Sequence, residues 1–347
     1  MTESVGGTLS VPVEADWAAA VAAVRAVSTS GRVLLVCHVN PDGDALGSML
    51  GFALGLRRLG VRRLQATFPG PPELPEPLRG LPGAEMLVPA AEADPDPDLL
   101  VSFDAASDSR LGELADRVTT AGTTLVLDHH ASNTGFGTVK VVDARAAATA
   151  VVVDELLTRL GVPLDAEIAE CLYVALSTDT GSFRFAVTAG VHQFAARLLA
   201  TGISPADISR RIFDTRPFGA VQLFAEVVGR ARLEPTAADG HGLVWTWATQ
   251  DDLARHGQPP YVLEPLIDSV RCTAEADVSC ALKQTGAGEW AVSLRSKGAV
   301  DVSRVAVALG GGGHRLAAGF VGRGSADEVV DAIHRELAGA LLGAPGG

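Results

Sequence analysis

Residues 32–44 read RVLLVCHVNPDGD. The run Arg32 to His38 is short and apolar without alternation, the pattern of a strand buried on both faces of a parallel sheet. It ends in a cluster of polar, metal-capable residues, His38-Val39-Asn40-Pro41-Asp42-Gly43-Asp44. From Ala45 to Gly60 the spacing predicts a helix with Leu46, Leu50, Leu54 and Leu56 mostly on one side and Gly60 at its end. A strand that runs out into acids and is followed by a helix is the unit of an open α/β sheet, in which ligands bind outside the carboxyl ends of the strands.

The same unit recurs outward from there. Val61 to Phe68 reads as a second strand and PGPPELPEP, Pro69 to Pro77, as a loop. Leu99 to Asp104 and Thr123 to Asp128 read as two more strands, with a helix around Arg110 to Val118 between them. From Ala147 to about Ala231 the pattern is almost wholly helical, broken at Gly161, Gly181 and Gly202, with a helix start at Ser204-Pro205. Beyond Arg232, strand-like runs at Gly242 to Ala248, Asp277 to Gln284 and Trp290 to Arg295 precede helices near Ser303 to Leu309 and Ala326 to Leu342. The expected fold is α/β: an N-terminal parallel sheet flanked by helices over residues 1–215, a helical linker over 216–234, and a smaller α/β domain over 235–347.

With 347 residues, 47% of them hydrophobic, the chain has apolar mass for two cores. No window holds the roughly 18 uninterrupted apolar residues of a membrane span, and the start MTESVGGTLSVPVEAD lacks a basic segment followed by an apolar one, so a cytoplasmic location without a membrane partner is expected. Cys37, Cys171, Cys272 and Cys280 are far apart in apolar stretches and read as buried thiols. A net charge of −13 argues against tracking along a long nucleic acid, which demands a basic stripe. It leaves room for a small anionic substrate, because acids that chelate cations do not repel a phosphate once the cation is bound.

Three strand ends in the first half carry such acids. Besides the first cluster there are Asp104 after LLVSF and Asp128-His129-His130 after TLVL; Asp179, in Ser177-Thr178-Asp179-Thr180-Gly181, ends a helical stretch. Any one of these fits a helix cap or an Asp-Gly turn. Their joint occurrence at successive strand ends does not. Carboxylate and imidazole without thiolate suit manganese, magnesium or iron rather than a structural zinc, and the mixed His/Asp set favours Mn²⁺ over Mg²⁺. Two histidines and four aspartates exceed what one octahedral ion needs, and with one bridging carboxylate they suit two ions about 3.5–4 Å apart, as in phosphatases and nucleases.

These motifs resemble the DHH family of phosphoesterases, whose signature triplet is here Asp128-His129-His130. The resemblance includes His38 through Ser48, Asp104 with Ser107-Asp108-Ser109-Arg110-Leu111-Gly112, Ser177 through Phe185, and Gly310-Gly311-Gly312-Gly313-His314 followed by Ala317-Ala318-Gly319. The last stretch is similar to the family's C-terminal associated domain, and the whole is most similar to the oligoribonuclease and phosphoadenosine-phosphate phosphatase group, with relatives that cleave cyclic di-AMP or its linear product. The resemblance implies two Mn²⁺, with Mg²⁺ or Co²⁺ as substitutes. It implies that His38 and Asp42 hold one ion, that Asp44, His129 and Asp179 hold the other, and that Asp104 bridges. Asp128 is then expected to orient His129 or a water, and His130 to face the substrate phosphate. Short anionic nucleotides are the implied substrates, and a homodimer is an expectation from the resemblance alone. An inorganic pyrophosphatase or exopolyphosphatase on the same metal core, and a nucleotide-sensing module without turnover, stay open as alternatives.

Substrate contacts are expected from the C-terminal domain. Four glycines before His314 suit a backbone that approaches a ligand closely, and a helix-like stretch after Arg315 would let Gly311, Gly312 and Gly313 cradle an anion at a helix start. Arg295, in Ser293-Leu294-Arg295-Ser296-Lys297, ends a strand with a guanidinium suited to a terminal phosphate, with Ser296 beside it. Trp245 and Trp247 read as core and cover, or as a surface for a base, and His192, His241, His256 and His334 as surface histidines.

Overall fold

The computed structural model describes residues 11–27 and 29–341. Residues 1–10 and Leu342, the expected end of the last helix, lie outside the described residues. The chain divides into two compact units, Met1–Thr215 and Arg216–Gly347.

The first unit opens with α1 (Glu14–Ala26), β1 (Arg32–Cys37), α2 (Gly43–Arg58) and β2 (Arg63–Thr67), followed by β3 (Leu99–Phe103), a short α3 (Arg117–Thr120), β4 (Thr123–Asp128) and β5 (Val139–Val142). The five strands form one parallel sheet in the order β2-β1-β3-β4-β5. The order turns back on itself between β1 and β3, so their carboxyl ends flank the crevice where such sheets bind ligands. The helices α4 (Thr149–Leu160), α5 (Ala166–Asp179), α6 (Ala189–Leu199) and α7 (Pro205–Ile212) complete the unit. The main core lies on one face of the sheet, between Leu35, Val101 and Leu125 and the inward residues of α2, α4 and α5. On the other face a smaller core gathers Leu34, Val36 and Leu100 with Leu111 and Leu114.

Two expectations change here and one strand is added. The helix around Arg110–Val118 is instead a 3₁₀ segment over Asp108–Leu114, interrupted at Gly112 with φ +50°, followed by α3. The edge strand β5 lies in a stretch without a clear apolar run. The helix α2 is not one-sided: every residue from Gly43 to Leu56 is buried. Its glycines explain how. A Cβ on Gly43 would lie 2.5 Å from the Thr178 side chain, one on Gly47 2.4 Å from the Cys171 carbonyl oxygen, and one on Gly55 2.4 Å from Leu157. A glycine every fourth residue lines one face of the helix, and α2 thereby seats its backbone against α5 and α4.

The second unit begins with α8 (Phe218–Gly229), in the stretch read as a linker, and continues with β6 (Arg232–Glu234), β7 (Leu243–Ala248), β8 (Val278–Gly286), β9 (Glu289–Ser296), β10 (Gly312–His314) and β11 (Ala317–Arg323). The sheet order is β10-β11-β9-β8-β7-β6, antiparallel except for β7 against β8. One face packs on helices Val302–Ala308 and Ala326–Leu337. The opposite face of β7 and β8 packs on α8 and on helix Leu266–Arg271, so Leu223, Phe224 and Val227 of α8 belong to this unit's core. Cys272, just past Leu266–Arg271, is exposed; Cys37, Cys171 and Cys280 are buried.

Candidate metal centre

Each ligand candidate sits where a local signal puts it. His38 follows β1 and is buried. Asp42 is the N-cap of α2, its Oδ1 accepting from the Ala45 amide at 3.0 Å. Asp44 lies in the first turn of α2, 1% exposed. Asp104 follows β3 with φ +56°, a left-handed conformation that Asp tolerates better than most residues, and its amide continues the ladder to the Leu127 carbonyl oxygen at 3.0 Å. Asp128 ends β4, with His129 and His130 next, and Asp179 is the last residue of α5.

The structure brings all of them to one place. His38, Asp42 and Asp104 form one set of potential ligand atoms within 4.8 Å of one another, and Asp44, His129 and Asp179 form another. The Nε2 of His38 is 3.5 Å from Asp104 Oδ2, and that of His129 is 3.5 Å from Asp104 Oδ1 and 3.5 Å from Asp179 Oδ2. Both imidazoles are oriented for this. His38 Nδ1 donates to the Val39 carbonyl oxygen at 2.9 Å and His129 Nδ1 to that of Ala146 at 3.1 Å, so each turns Nε2, the atom a cation would bind, toward the carboxylates. The donor set therefore fits divalent cations of the manganese or magnesium type.

Asp128 holds two side chains: its Oδ1 takes a 2.8 Å hydrogen bond from His130 Nδ1 and its Oδ2 a 2.6 Å bond from Asn133 Nδ2, so it orients His130. Burial alone would depress the His130 imidazolium, but the bond to Asp128 and the charges of Asp104, Asp128 and Asp179 prevail and push its pKa up to about 10. Burial would likewise raise Asp104, yet the bond from His38 and the charges of His130 and His129 hold it well below the usual carboxylate range. Asp44 goes the other way, raised by burial and by Asp104 and Asp179. Carboxylates crowded this closely resist full charge, and a divalent cation relieves them.

Further residues support the ligand candidates, Ser48 at the end of the first motif among them. Ser48 donates to Asp44 Oδ1 at 2.9 Å, one helical turn on, and the Thr149 and Ala150 amides donate to Asp44 Oδ2 and Oδ1 at 2.7 and 3.2 Å. Asn133 and Thr149 lie outside the motifs. The i+4 spacing is a signal for Ser48, but nothing local points to Thr149, 105 residues from Asp44.

Residues 32–176 match the DHH family N-terminal domain and residues 253–339 the DHHA1 domain. The bifunctional oligoribonuclease and PAP phosphatase NrnA of Thermus thermophilus is 34% identical over 316 residues, 89% of this chain and 91% of that protein. The chain belongs to the DHH family. Its DHH and DHHA1 regions share their fold with an exopolyphosphatase-related protein from Bacteroides fragilis, at TM-score 0.81 and 23% identity over 94% of this chain and 96% of that one. RecJ of Thermus thermophilus in complex with Mn²⁺ shares it more distantly, at TM-score 0.54 and 16% identity over 96% of this chain and 56% of that one.

In the DHHA1 region Arg295 and His314 are aligned. Arg295 pairs with Ala317 across β9 and β11, and Ala317 with His314 across β11 and β10, so the three share one face of the sheet. The helix expected after Arg315 is replaced by the β10–β11 hairpin, which removes the helix start as an anion cradle. The glycines serve the chain reversal. Gly310, at φ +82°, ends helix Val302–Ala308, and a Cβ on Gly311 or Gly313 would lie 2.1 Å from the Gly319 carbonyl oxygen or 2.6 Å from Ala318 Cα. Only Gly312 of the run's last three has open space around it. Ser296 is 1% exposed, its hydroxyl donating to Asp277 Oδ2 at 2.7 Å and accepting from the Gly298 amide, so it fixes a turn instead of facing a ligand. Trp245 belongs to the core, and the Arg232 guanidinium stacks over both Trp245 and Trp247. His256 and His334 pair with Glu226 and Glu234.

Proposed function

We propose that this chain is a two-metal phosphoesterase that hydrolyses short oligoribonucleotides, 3′,5′-adenosine bisphosphate, or cyclic and linear dinucleotides such as c-di-AMP and pApA to mononucleotides. One observation carries the reading: Asp104 turns one oxygen toward His38 of the first ligand set and the other toward His129 of the second, which supports a bridging carboxylate. The activity of the 34% identical NrnA relative supports the substrate class, and the Mn²⁺ complex of a protein with the same fold accords with the donor chemistry.

His38 and Asp42 would hold one ion, Asp44, His129 and Asp179 the other, and Asp104 both. Two divalent cations at such a site supply Lewis acidity toward a water and toward the phosphoryl oxygens. The chain's own residues do the rest. The imidazolium of His130, kept protonated by Asp128, stands 3.6 Å from Asp104 Oδ1 and holds a proton for the leaving alkoxide or a hydrogen bond for the phosphoryl group. Arg295, His314 and the open backbone at Gly312 are assigned to substrate phosphates within the DHHA1 region. A cytoplasmic location and a homodimer belong to the same reading, the latter tested by sedimentation.

The test is a Mn²⁺-dependent assay on pApA, 3′,5′-adenosine bisphosphate, c-di-AMP and pyrophosphate, with EDTA abolishing turnover and Mn²⁺ restoring it. Preference for pyrophosphate would transfer the reading to the pyrophosphatase alternative, and turnover that survives exhaustive chelation would remove the metal centre from it.

A further inference from the structure

Helix α4 begins without a capping side chain of its own: its N-cap is Ala148. The Asp44 carboxylate takes that place, receiving the Thr149 and Ala150 amides, which are the first two of the helix. The same Thr149 donates its hydroxyl to Asp104 Oδ1 at 3.0 Å. Thr149 therefore touches Asp44 of one ligand set through its backbone and Asp104, whose oxygens lie near His38 and His129, through its side chain, and it is fully buried.

We propose that Thr149 is a positioning residue that fixes the rotation of the Asp104 carboxylate plane, so that one oxygen is turned toward each ligand set. The inference rests on the two-metal reading above. A hydroxyl has one proton to give, and here it goes to Oδ1, the oxygen near His129 Nε2, while Oδ2 lies near His38 Nε2. A carboxylate on a short side chain otherwise rotates about its terminal torsion, which is broad. Two features hold Thr149 itself in place: its amide is anchored on Asp44 at 2.7 Å, and its branched Cβ restricts χ1 within a helix. Loss of the hydroxyl would free Asp104 to turn and to serve one ion at the expense of the other. Val at this position keeps the shape and removes the proton; Ser keeps the proton and removes the methyl.

The experiment is calorimetric titration of Mn²⁺ into metal-free wild type, Thr149→Val and Thr149→Ser, with electron paramagnetic resonance of the loaded proteins to report coupling between paired ions. Wild type is expected to bind two coupled ions. Thr149→Val should bind one ion as wild type does and the other roughly ten- to a hundredfold more weakly, the range typical for partners behind metal ligands, with the coupling signal lost at sub-saturating metal. Thr149→Ser should recover both affinities to within about threefold. Wild-type affinities and coupling in Thr149→Val would overturn the proposal, and so would a Thr149→Ser variant as weak as Thr149→Val. If Thr149→Val does not fold by circular dichroism, the Ser variant decides alone, wild-type affinity supporting the proposal and weakened affinity overturning it. Wild type binding fewer than two ions would instead sink the two-metal reading, a failure visible before any variant is made.

Discussion

The Nε2 of His38 lies 3.5 Å from Oδ2 of Asp104, the oxygen that His129 does not face. A carboxylate placed between two imidazoles in this way would bridge the two ions of the proposed function, and its backbone is left-handed, at φ +56°. Asp104→Asn keeps the size and the tolerance for that backbone but cannot bridge as an anion. It should lower kcat/KM on pApA by more than the roughly 10–100-fold typical of losing a partner behind a ligand. The metal-free protein should also melt at lower temperature, since three histidines favour the charged carboxylate. Activity within tenfold of wild type would remove Asp104 from the bridging position.

Asp44 and Asp179 face the same His129 from different settings. Asp44 is 1% exposed and satisfies a serine hydroxyl and two helix-start amides, whereas the Asp179 side chain is 29% exposed at the end of α5. Both Asp44→Asn and Asp179→Asn should weaken Mn²⁺ binding. In EDTA only Asp44→Asn should lose stability, by about 1–3 kcal/mol, because an amide NH₂ would confront a backbone donor. Chemical denaturation of the two metal-free variants separates these roles, and equal losses would contradict the cap.

The His130 imidazolium gives the metal-free protein a definite pH dependence. Its pKa rises from 6.5 to about 10 in the folded state, so the folded state binds this proton more tightly than the unfolded one. The stability it contributes is complete below about 6.5 and disappears as the pH rises toward 10. Melting temperatures in EDTA should fall across that window more steeply for wild type than for His130→Gln. Parallel curves would show that the Asp128–His130 pair does not hold the proton.

The close approach of α2 to α5 is tested at Gly43. A Cβ there would meet the Thr178 side chain at 2.5 Å, beside Asp179. Gly43→Ala should cost about 1–3 kcal/mol by overpacking and loosen Mn²⁺ binding at the Asp44 set. Gly229→Ala, at the end of α8 with nothing within 4 Å, is the control and should be neutral or gain up to about 1 kcal/mol. A Gly43→Ala variant as stable and as tight for Mn²⁺ as wild type would mean that the helices have room to spare.

The strand ends and the acids on them were legible in the sequence because they depend on local pattern. An unbroken apolar run such as RVLLVCH can be a buried strand at almost any place in a sheet, and whatever follows it emerges at the carboxyl edge. His38, Asp104 and Asp128 follow from that alone, as does the helix that begins at Gly43. Alternation likewise disclosed β7 and β9.

Only the tertiary structure decided what the residues between these ends do. The glycines of α2 look like weak points in a helix until Thr178, Cys171 and Leu157 are found against them. The run Gly310 to Gly313 is compatible with a loop, a helix start or a hairpin, and the packing of Gly311 and Gly313 on β11 selected the hairpin. Asp128 holds His130 while the Ala146 carbonyl oxygen holds His129, and Ala146 comes beside His129 only in the folded chain. Thr149, far from every motif, became the shared support of Asp44 and Asp104 only when α4 folded over the sheet edge. The sequence by itself determined which side chains arrive at the edge of the sheet, since strand and helix periods are local. Which atoms of those side chains face one another was decided by the tertiary structure, since hydrogen bonds between groups a hundred residues apart form only once the core has closed around them.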